Sequence, residues 1–201
     1  RNCSQPKSRR QRRNKFRIMT YTQEEIIKAN GPFTAPEQIT EEYLGTCIEE
    51  IAKFPKALTS FMMSLQAEHQ FHCYRPEGWS YRQTVHHIAD SHMQAFTRFK
   101  LALTEDIPTV KPYSQNAWAS TSDSLEVDAL ISCALIIPLH ERWLHLLKTM
   151  ELSDFDKKYF HPEYAREYPL GEVIGLYAWH GKHHLTQLQR HAHNQGWITL
   201  A

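Results

Sequence analysis

Apolar residues recur at intervals of three and four along most of the chain, the spacing that places them on one face of an α-helix. Four such runs are long, and they cover residues 40–68, 81–103, 124–150 and 169–195. No stretch of alternating apolar and polar residues competes with them, so no strand is expected. The pattern therefore predicts an all-α protein, a four-helix bundle with long connecting loops.

Several helix ends carry recognisable signals. Ser80 is a good N-cap for the second run, with Gln83 as its capping-box partner three residues later. Gly196 suits the C-cap of the fourth run. Two prolines fall inside helical runs, Pro55 in the first and Pro138 in the third, and each is expected to bend or interrupt its helix.

The connections between the runs are long. Residues 19–37 contain Gly31 and Pro32, which predicts an extended lead-in rather than a regular element. Residues 104–123 and 151–168 are expected to form two long loops. Loops of this length in a small domain usually cover a functional site.

Length and composition favour one compact domain. The chain has 201 residues, 41% hydrophobic and 22% charged, which is enough for a single core. The best apolar stretch, residues 129–139, is interrupted by Ser132 and Pro138 and is shorter than a membrane span. The four cysteines are scattered without a C-x-x-C pair, which fits reduced thiols. We therefore expect a cytoplasmic protein with no membrane partner.

Charge is distributed unevenly. Residues 1–18 contain eight Lys or Arg and no acid, and removing these eight charges from the net charge of +1 leaves about −7 for the rest. Such a segment cannot fold alone, so we expect a disordered basic extension over 1–18 and a domain over 19–201 that begins at a natural start, Met19. A nucleic-acid-binding or targeting arm is the alternative. The acidic body argues against a nucleic-acid partner.

Histidine is frequent, and eight of the 13 histidines lie within residues 86–92 and 180–193. His180 and His184 are four residues apart on a predicted helix, so their rings point the same way and can bind one metal ion. The same spacing serves H-E-x-x-H metal sites. Because two ligands hold a divalent metal incompletely, a third must come from a facing helix.

The candidates for this third ligand lie on the second and third helices: His86, His87, His92, His140 and His145. Both His86 and His87 border the apolar side of the second helix, so periodicity leaves the choice between them open. His92, His191 and His193 are expected to face solvent.

Several segments, in the same order, resemble the YfiT-like branch of the DinB superfamily, whose members are regarded as metal-dependent hydrolases. They are GWSYRQTVHHIADSHM at 78–93, RFKLALTE at 98–105, KPY at 111–113, HERW at 140–143, FHPE at 160–163 and LYAWHGKHH at 176–184. The resemblance covers most of residues 30–197 and leaves out the basic extension.

The resemblance implies one divalent metal per subunit on three histidines. One family ligand precedes an (Ile/Leu)-Ala-Asp triplet, which is His87 here, and the other two are four apart on the last helix, His180 and His184. His86 and His183 are then neighbours rather than ligands. Zinc is expected first and nickel second. The resemblance also implies an up-down-down-up helix order, a homodimer and a small-molecule substrate.

The ligand set decides which chemistry to expect. Three neutral imidazoles leave zinc with an open position, the arrangement of catalytic sites. Hydrolysis by activated water is the first interpretation. The first alternative is transfer of a low-molecular-weight thiol of the bacillithiol type, as in other family members. The second alternative is a metal-stabilised binding module without catalysis.

Two residues are predicted as catalytic acids or bases. Asp90 lies one turn after His87, and His161 lies in the second long loop. Glu141 could also reach the site from the third helix. Structural roles compete with each of these, and for Asp90 the competing role is a surface ion pair.

Overall fold

The computed structural model describes residues 20–200 and confirms a bundle of four long helices. These are α2 (Glu41–Met63), α3 (Tyr81–Thr104), α6 (Ala129–Thr149) and α7 (Leu170–Asn194). Shorter elements connect them: α1 (Gln23–Lys28), α4 (Gln115–Trp118), α5 (Ser122–Glu126), and the strands β1 (Lys158–His161) and β2 (Arg166–Pro169). The predicted disorder of residues 1–18 lies outside the described residues.

Helices α3 and α6 run in parallel. His86 near the start of α3 contacts Ser132 near the start of α6, and Phe99 packs on Trp143 further along both helices. A short loop cannot join parallel helices, because the chain must first return along the bundle. The long connection over residues 105–128, which contains α4 and α5, makes that return.

Helix α7 runs antiparallel to α3. The Tyr81 hydroxyl at the start of α3 donates to the carbonyl of Leu188 late in α7, whereas Arg98 late in α3 contacts Tyr177 early in α7. Residues in the middle of both helices therefore meet, and those residues include the predicted ligands.

Helices α2 and α7 are parallel and lie very close together. A Cβ at Gly175 would meet the Tyr43 side chain, and a Cβ at Gly181 would meet the Phe54 ring. With α3 antiparallel to α7 and α6 parallel to α3, the order is up-down-down-up, as the resemblance implied. The main packing joins α2 and α3 each to α6 and α7, so consecutive long helices α2 and α3 lie across the bundle diagonal.

Pro55 lies within α2 without interrupting it, because another residue binds the carbonyl that the proline leaves unpaired. A proline lacks the N–H that would bond to the carbonyl four residues earlier, here that of Ile51. The His140 Nδ1 lies 2.9 Å from this carbonyl oxygen and donates to it instead. Pro138 likewise lies within the continuous helix α6.

Two boundaries of the long helices, and the short helices beside them, differ from the sequence expectation. The lead-in contains α1, whose Thr22 and Glu25 form a reciprocal capping box. Helix α2 ends at Met63, and residues 67–71 form a 3₁₀ turn. The third long helix begins at Ala129 with Asp128 as its N-cap. Local capping signals of this kind are brief, and they are easily missed between longer apolar patterns.

The second long loop contains a hairpin, so the expectation of no strand is wrong there. β1 and β2 pair antiparallel from Lys158–Pro169 to His161–Arg166. The sequence of β1 does not show a clear alternation of apolar and polar residues, because its inward residues, Tyr159 and His161, are amphipathic rather than aliphatic. Phe160 also exchanges backbone hydrogen bonds with Pro108 and Val110. The two long connections therefore meet and cover one end of α3 and α7.

Helix α6 is the one described helix that is long and apolar enough to suit a membrane span. Polar and charged residues, among them His140, Glu141 and Arg142, still interrupt its apolar run. A single such helix is weak evidence for a membrane protein. This one packs against α2 and α3 and turns Cys133, His140 and Trp143 into the core.

Candidate metal centre

Three histidines converge in the middle of the bundle. His180 and His184 come from successive turns of α7, and His87 faces them from α3. One ring nitrogen from each lies within 4.8 Å of the other two, and the Nε2 atoms of His87 and His180 are 3.2 Å apart. The structure thus brings together the three residues that were predicted as ligands.

The register of α3 separates His87 from His86. Both ring nitrogens of His86 are engaged on the α6 side, at 2.7 Å from Ser132 Oγ and 3.0 Å from the Val127 carbonyl. His87 points instead toward α7 and packs on the ring of Trp79 at 4.7 Å. His183 stacks on Trp179 and contacts the Gln187 amide.

Gln187 fixes the tautomer of His184. Its amide nitrogen donates to the Ile27 carbonyl at 2.7 Å, so its amide oxygen is the acceptor that faces His184 Nδ1 at 3.0 Å. His184 therefore carries its proton on Nδ1 and presents an unprotonated Nε2 to the other two histidines. Metal-binding histidines usually have such a hydrogen-bonded second nitrogen.

A chain of buried histidines ends beside His180. His140 donates from Nδ1 to Ile51, so its Nε2 accepts from His92 Nδ1 at 2.8 Å. His92 Nε2 is then an acceptor without a partner, and His180 Nδ1 also lacks one. The two rings lie 5.7 Å apart between centroids. His92 is thus buried, and the expectation that it faces solvent is wrong.

Burial keeps the three converging imidazoles neutral. Loss of solvent lowers the pKa of His87 to about 4 and that of His184 to about 3, and it holds the pKa of His180 well below its usual range. Part of the His180 and His184 surface remains exposed, but neighbouring rings enclose both side chains. Neutral imidazole is the form that binds metals, so the donors are ready at neutral pH.

The donor geometry fits a small divalent ion. Zinc–nitrogen distances of 2.0–2.1 Å in a tetrahedron require nitrogens about 3.3 Å apart. The 3.2 Å between His87 and His180 meets that spacing, and one ring nitrogen of His184 lies within 4.8 Å of both. The ligand role of these three residues remains a prediction that the geometry supports.

A cavity of about 230 Å³ opens beside His180. It lies between α3, α7, the hairpin and the segment before α4. Its wall contains polar and aromatic side chains: Ser91, Arg98, Tyr113, Gln115, Tyr159, His161, Glu163, Tyr164, Tyr168, Leu176 and Tyr177. The hairpin thus brings the predicted His161 to the same cavity as His180.

The two other predicted acids lie elsewhere. Asp90 does not line this cavity; burial and the nearby charge of Asp123 raise its pKa to about 6. Glu141 is exposed on α6 and lines surface grooves on the far side of that helix. The catalytic roles of Asp90 and His161 stay predictions.

Sequence reasoning missed the residues that support the site. Gln187 follows His184 by three positions, the helical spacing of contacting side chains, and that signal was available. Arg98, Tyr113 and Tyr177 carried no spacing signal, because they come from three separate elements. Only the folded chain brings them together.

Comparisons with known proteins agree with the fold and the site. The profile of the DinB superfamily matches residues 36–188. A Bacillus cereus protein (strain 03BB102) named "Putative metal-dependent hydrolase" is 46% identical over 159 residues, 79% of this chain and 90% of that protein. A Bacillus thuringiensis subsp. konkukian protein (strain 97-27), also named a putative metal-dependent hydrolase, matches with the same identity and coverage.

A solved structure matches as well. YfiT from Bacillus subtilis, described as "a probable metal-dependent hydrolase with an unusual four-helix bundle topology", superposes with a TM-score of 0.84 at 34% identity. The match covers 87% of this chain and 99% of YfiT. The family profile spans α2 to most of α7 and so includes all three converging histidines. The chain therefore belongs to the DinB superfamily.

Proposed function

We propose that this protein is a metal-dependent hydrolase that binds one divalent ion through His87, His180 and His184. The observation that carries the proposal is the convergence of three neutral imidazoles beside a cavity large enough for a small molecule. The names of the Bacillus relatives and of YfiT point to the same activity.

Zinc is the ion we propose first, with nickel second. Zinc accepts imidazole nitrogen in tetrahedral sites, and three protein ligands leave its fourth position open, as in catalytic zinc sites. When bound, such an ion supplies Lewis acidity and activates water near neutral pH. Gln187 and the packing of Trp79 orient two of the ligands in advance.

His161 is the residue we propose for proton transfer. Its ring lies on the cavity wall, and its buried Nδ1 has no protein partner. Burial and the charge of Arg98 lower its pKa, so it is neutral at pH 7 and able to accept a proton. Asp90 is a second proposal, because its raised pKa of about 6 would also suit a base.

The proposal is tested by removing and restoring the metal. The zinc-loaded full-length protein should hydrolyse some members of a panel of small esters and amides, lose this activity on dialysis against a chelator, and regain it with zinc. His180→Ala should be inactive, while His145→Ala, which changes an exposed histidine on α6, should not differ from the wild type. Hydrolysis that survives complete metal removal would overturn the proposal.

The same preparation tests the two alternatives. The cysteines described by the structure, Cys47, Cys73 and Cys133, do not line the cavity, so a transferred thiol would have to come from solution. Metal-dependent conjugation of a small thiol to 1-chloro-2,4-dinitrobenzene, without hydrolysis, would indicate a thiol transferase. Zinc-dependent thermal stabilisation without turnover in either assay would indicate a binding module.

We also propose a homodimer in the cytoplasm with a small-molecule substrate. The apolar side chains of α6 that face away from the core support the dimer: Leu130, Ile131, Leu135 and Ile137 are all exposed. Exposed apolar residues grouped on one helix face are typical of an interface. The scattered cysteines of the sequence support the proposed cytoplasmic location.

A further inference from the structure

One charged side chain in the cavity beside His180 has no charged partner. Arg98 of α3 is only 9% exposed. Its Nη1 lies 3.4 Å from the Tyr177 hydroxyl, and its guanidinium carbon lies 5.7 Å from the Tyr159 ring centre. Among residues 20–200, no carboxylate oxygen lies within 4.0 Å of its nitrogens, and its buried Nε has no hydrogen bond. An unpaired buried charge is unfavourable, and an anion would relieve it.

Apart from His180 Nδ1 of the metal centre, two more buried polar atoms in the same cavity lack hydrogen-bond partners. They are the Tyr113 hydroxyl, which lies close to Ser91 but outside good hydrogen-bond geometry, and His161 Nδ1. Buried polar atoms without hydrogen bonds are rare in folded proteins, so three on one wall require an explanation. Each of these groups can donate a hydrogen; the neutral His161 ring does so from Nδ1, which leaves Nε2 as its proton acceptor. Donors that converge around a cation select an acceptor that carries negative charge.

The size and lining of the cavity limit the ligand. Its volume of about 230 Å³ is below the range of about 300–1,000 Å³ typical of drug-sized ligands, so the ligand is small. Tyrosine rings form much of the wall, which suits an aromatic or apolar body. Glu163 is the one carboxylate that lines the cavity, and it is exposed like Tyr164 and Gln115, whereas Arg98 is buried.

We propose that Arg98, with Tyr113 and His161, forms an anion subsite that binds the carboxylate of a small organic acid and holds its body against the metal centre at His180. The Nε–Nη edge of a guanidinium matches the two oxygens of a carboxylate. A phosphate monoester shares this chemistry. The assignment of the bound acid as a substrate rests on the proposed hydrolase function, whereas the binding of the anion does not.

Binding of matched probes to the zinc-loaded full-length protein tests the subsite without any turnover. Benzoate and benzamide have nearly the same shape and differ in charge, and inorganic phosphate is the third probe. Isothermal titration calorimetry should give a dissociation constant for benzoate at least tenfold below that for benzamide. Arg98→Met should weaken benzoate binding at least tenfold, and Tyr113→Phe severalfold. Arg142→Met, which removes the same charge from an exposed site, should have no effect.

Each outcome decides the proposal. Tighter binding of phosphate than of benzoate, lost in Arg98→Met, supports the subsite and assigns a phosphoryl group in place of a carboxylate. Benzoate binding that persists in Arg98→Met would place the carboxylate on the metal and overturn the subsite. Equal binding of benzoate and benzamide would overturn it as well. Circular dichroism and zinc content show whether Arg98→Met keeps its fold and its metal centre. If it does not, Arg98→Lys replaces it as the test variant, and this variant should keep part of the affinity for benzoate.

Discussion

At the residue scale, the metal centre depends on which nitrogen of each histidine carries the proton. Gln187 assigns it to Nδ1 of His184, and this leaves Nε2 free to bind a metal. His86 is a histidine at the neighbouring position, but Ser132 and Val127 occupy its two nitrogens. Hydrogen-bond partners, and not residue type, therefore separate ligands from neighbours.

Five single alanine variants test this separation. We expect His87→Ala, His180→Ala and His184→Ala to purify with little metal, because two remaining imidazoles hold a divalent ion weakly. His86→Ala and His183→Ala should retain about one metal per chain, and elemental analysis measures this. Loss of the metal in His86→Ala but not in His87→Ala would show that the register assigned to α3 is wrong.

His140 has a structural role that can be isolated. His140→Phe leaves both the Ile51 carbonyl and the His92 Nδ1 donor unpaired, and each unsatisfied buried group costs about 1–3 kcal/mol of unfolding free energy. Adding Pro55→Ala to this variant supplies a backbone N–H for the same carbonyl. Urea unfolding should therefore show partial recovery in the double variant. An equal cost of His140→Phe with proline or alanine at position 55 would contradict this account.

At the element scale, close contact between α2 and α7 positions the site. Gly181 lies between the predicted ligands His180 and His184 on α7. The position that a Cβ would occupy there faces the Phe54 ring of α2. Phe54 in turn stacks on His92 at 5.4 Å. Any side chain at position 181 would push this ring toward the buried histidines, because the core around it is closely packed.

Two glycine variants separate helix propensity from close packing. Gly181→Ala places a Cβ within 2.9–3.0 Å of the Phe54 ring, so we expect a loss of about 1–3 kcal/mol. Gly45→Ala is the control, because nothing lies within 4 Å of its Cβ on α2. The control should gain up to about 1 kcal/mol from helix propensity. A gain in both variants would show that α2 and α7 can move apart.

At the scale of the whole molecule, the buried histidines link stability to pH. Burial lowers the pKa of His87, His140 and His184 to between about 3 and about 4, from 6.5 in the unfolded chain. Between pH 6.5 and about 4 the unfolded state therefore binds protons that the folded state does not. By linkage, the free energy of unfolding falls as the pH falls through this window.

We expect the metal-free protein to lose about 1.4 kcal/mol per pH unit for each such histidine below pH 6.5. Urea unfolding at about pH 7.5 and about pH 5 measures the loss. His87→Asn should make the dependence shallower, and His145→Asn, at an exposed position, should not. Stability that is independent of pH in this range would mean that the buried rings are accessible to protons.

The outer face of α6 tests the proposed dimer. Ile131 is 61% exposed there, and Ile131→Glu places a charge in the middle of the apolar face. Light scattering should show a dimer for the wild type and a monomer for Ile131→Glu. Leu152→Glu, at an exposed leucine outside α6, should remain dimeric. A wild-type monomer would rule out the proposed interface.

The sequence by itself determined the four long helices and the pairing of His180 with His184. Both follow from periodicity, which depends only on the geometry of the single helix. Resemblance to the family was needed to choose His87 over His86, because the two residues border the same buried face. Helix order also came from resemblance, since a local pattern contains no information on which helices are parallel.

Only the tertiary structure decided the surroundings of the site. The helix α2 continues through Pro55 because His140, on another helix, donates to the Ile51 carbonyl. His92 is buried by residues from three other helices, and Arg98 and His161 line one cavity only because the hairpin folds over α3 and α7. These contacts join residues far apart in the chain, and the physical reason they could not be predicted is that burial and hydrogen-bond partners are set by packing between elements rather than by spacing within one.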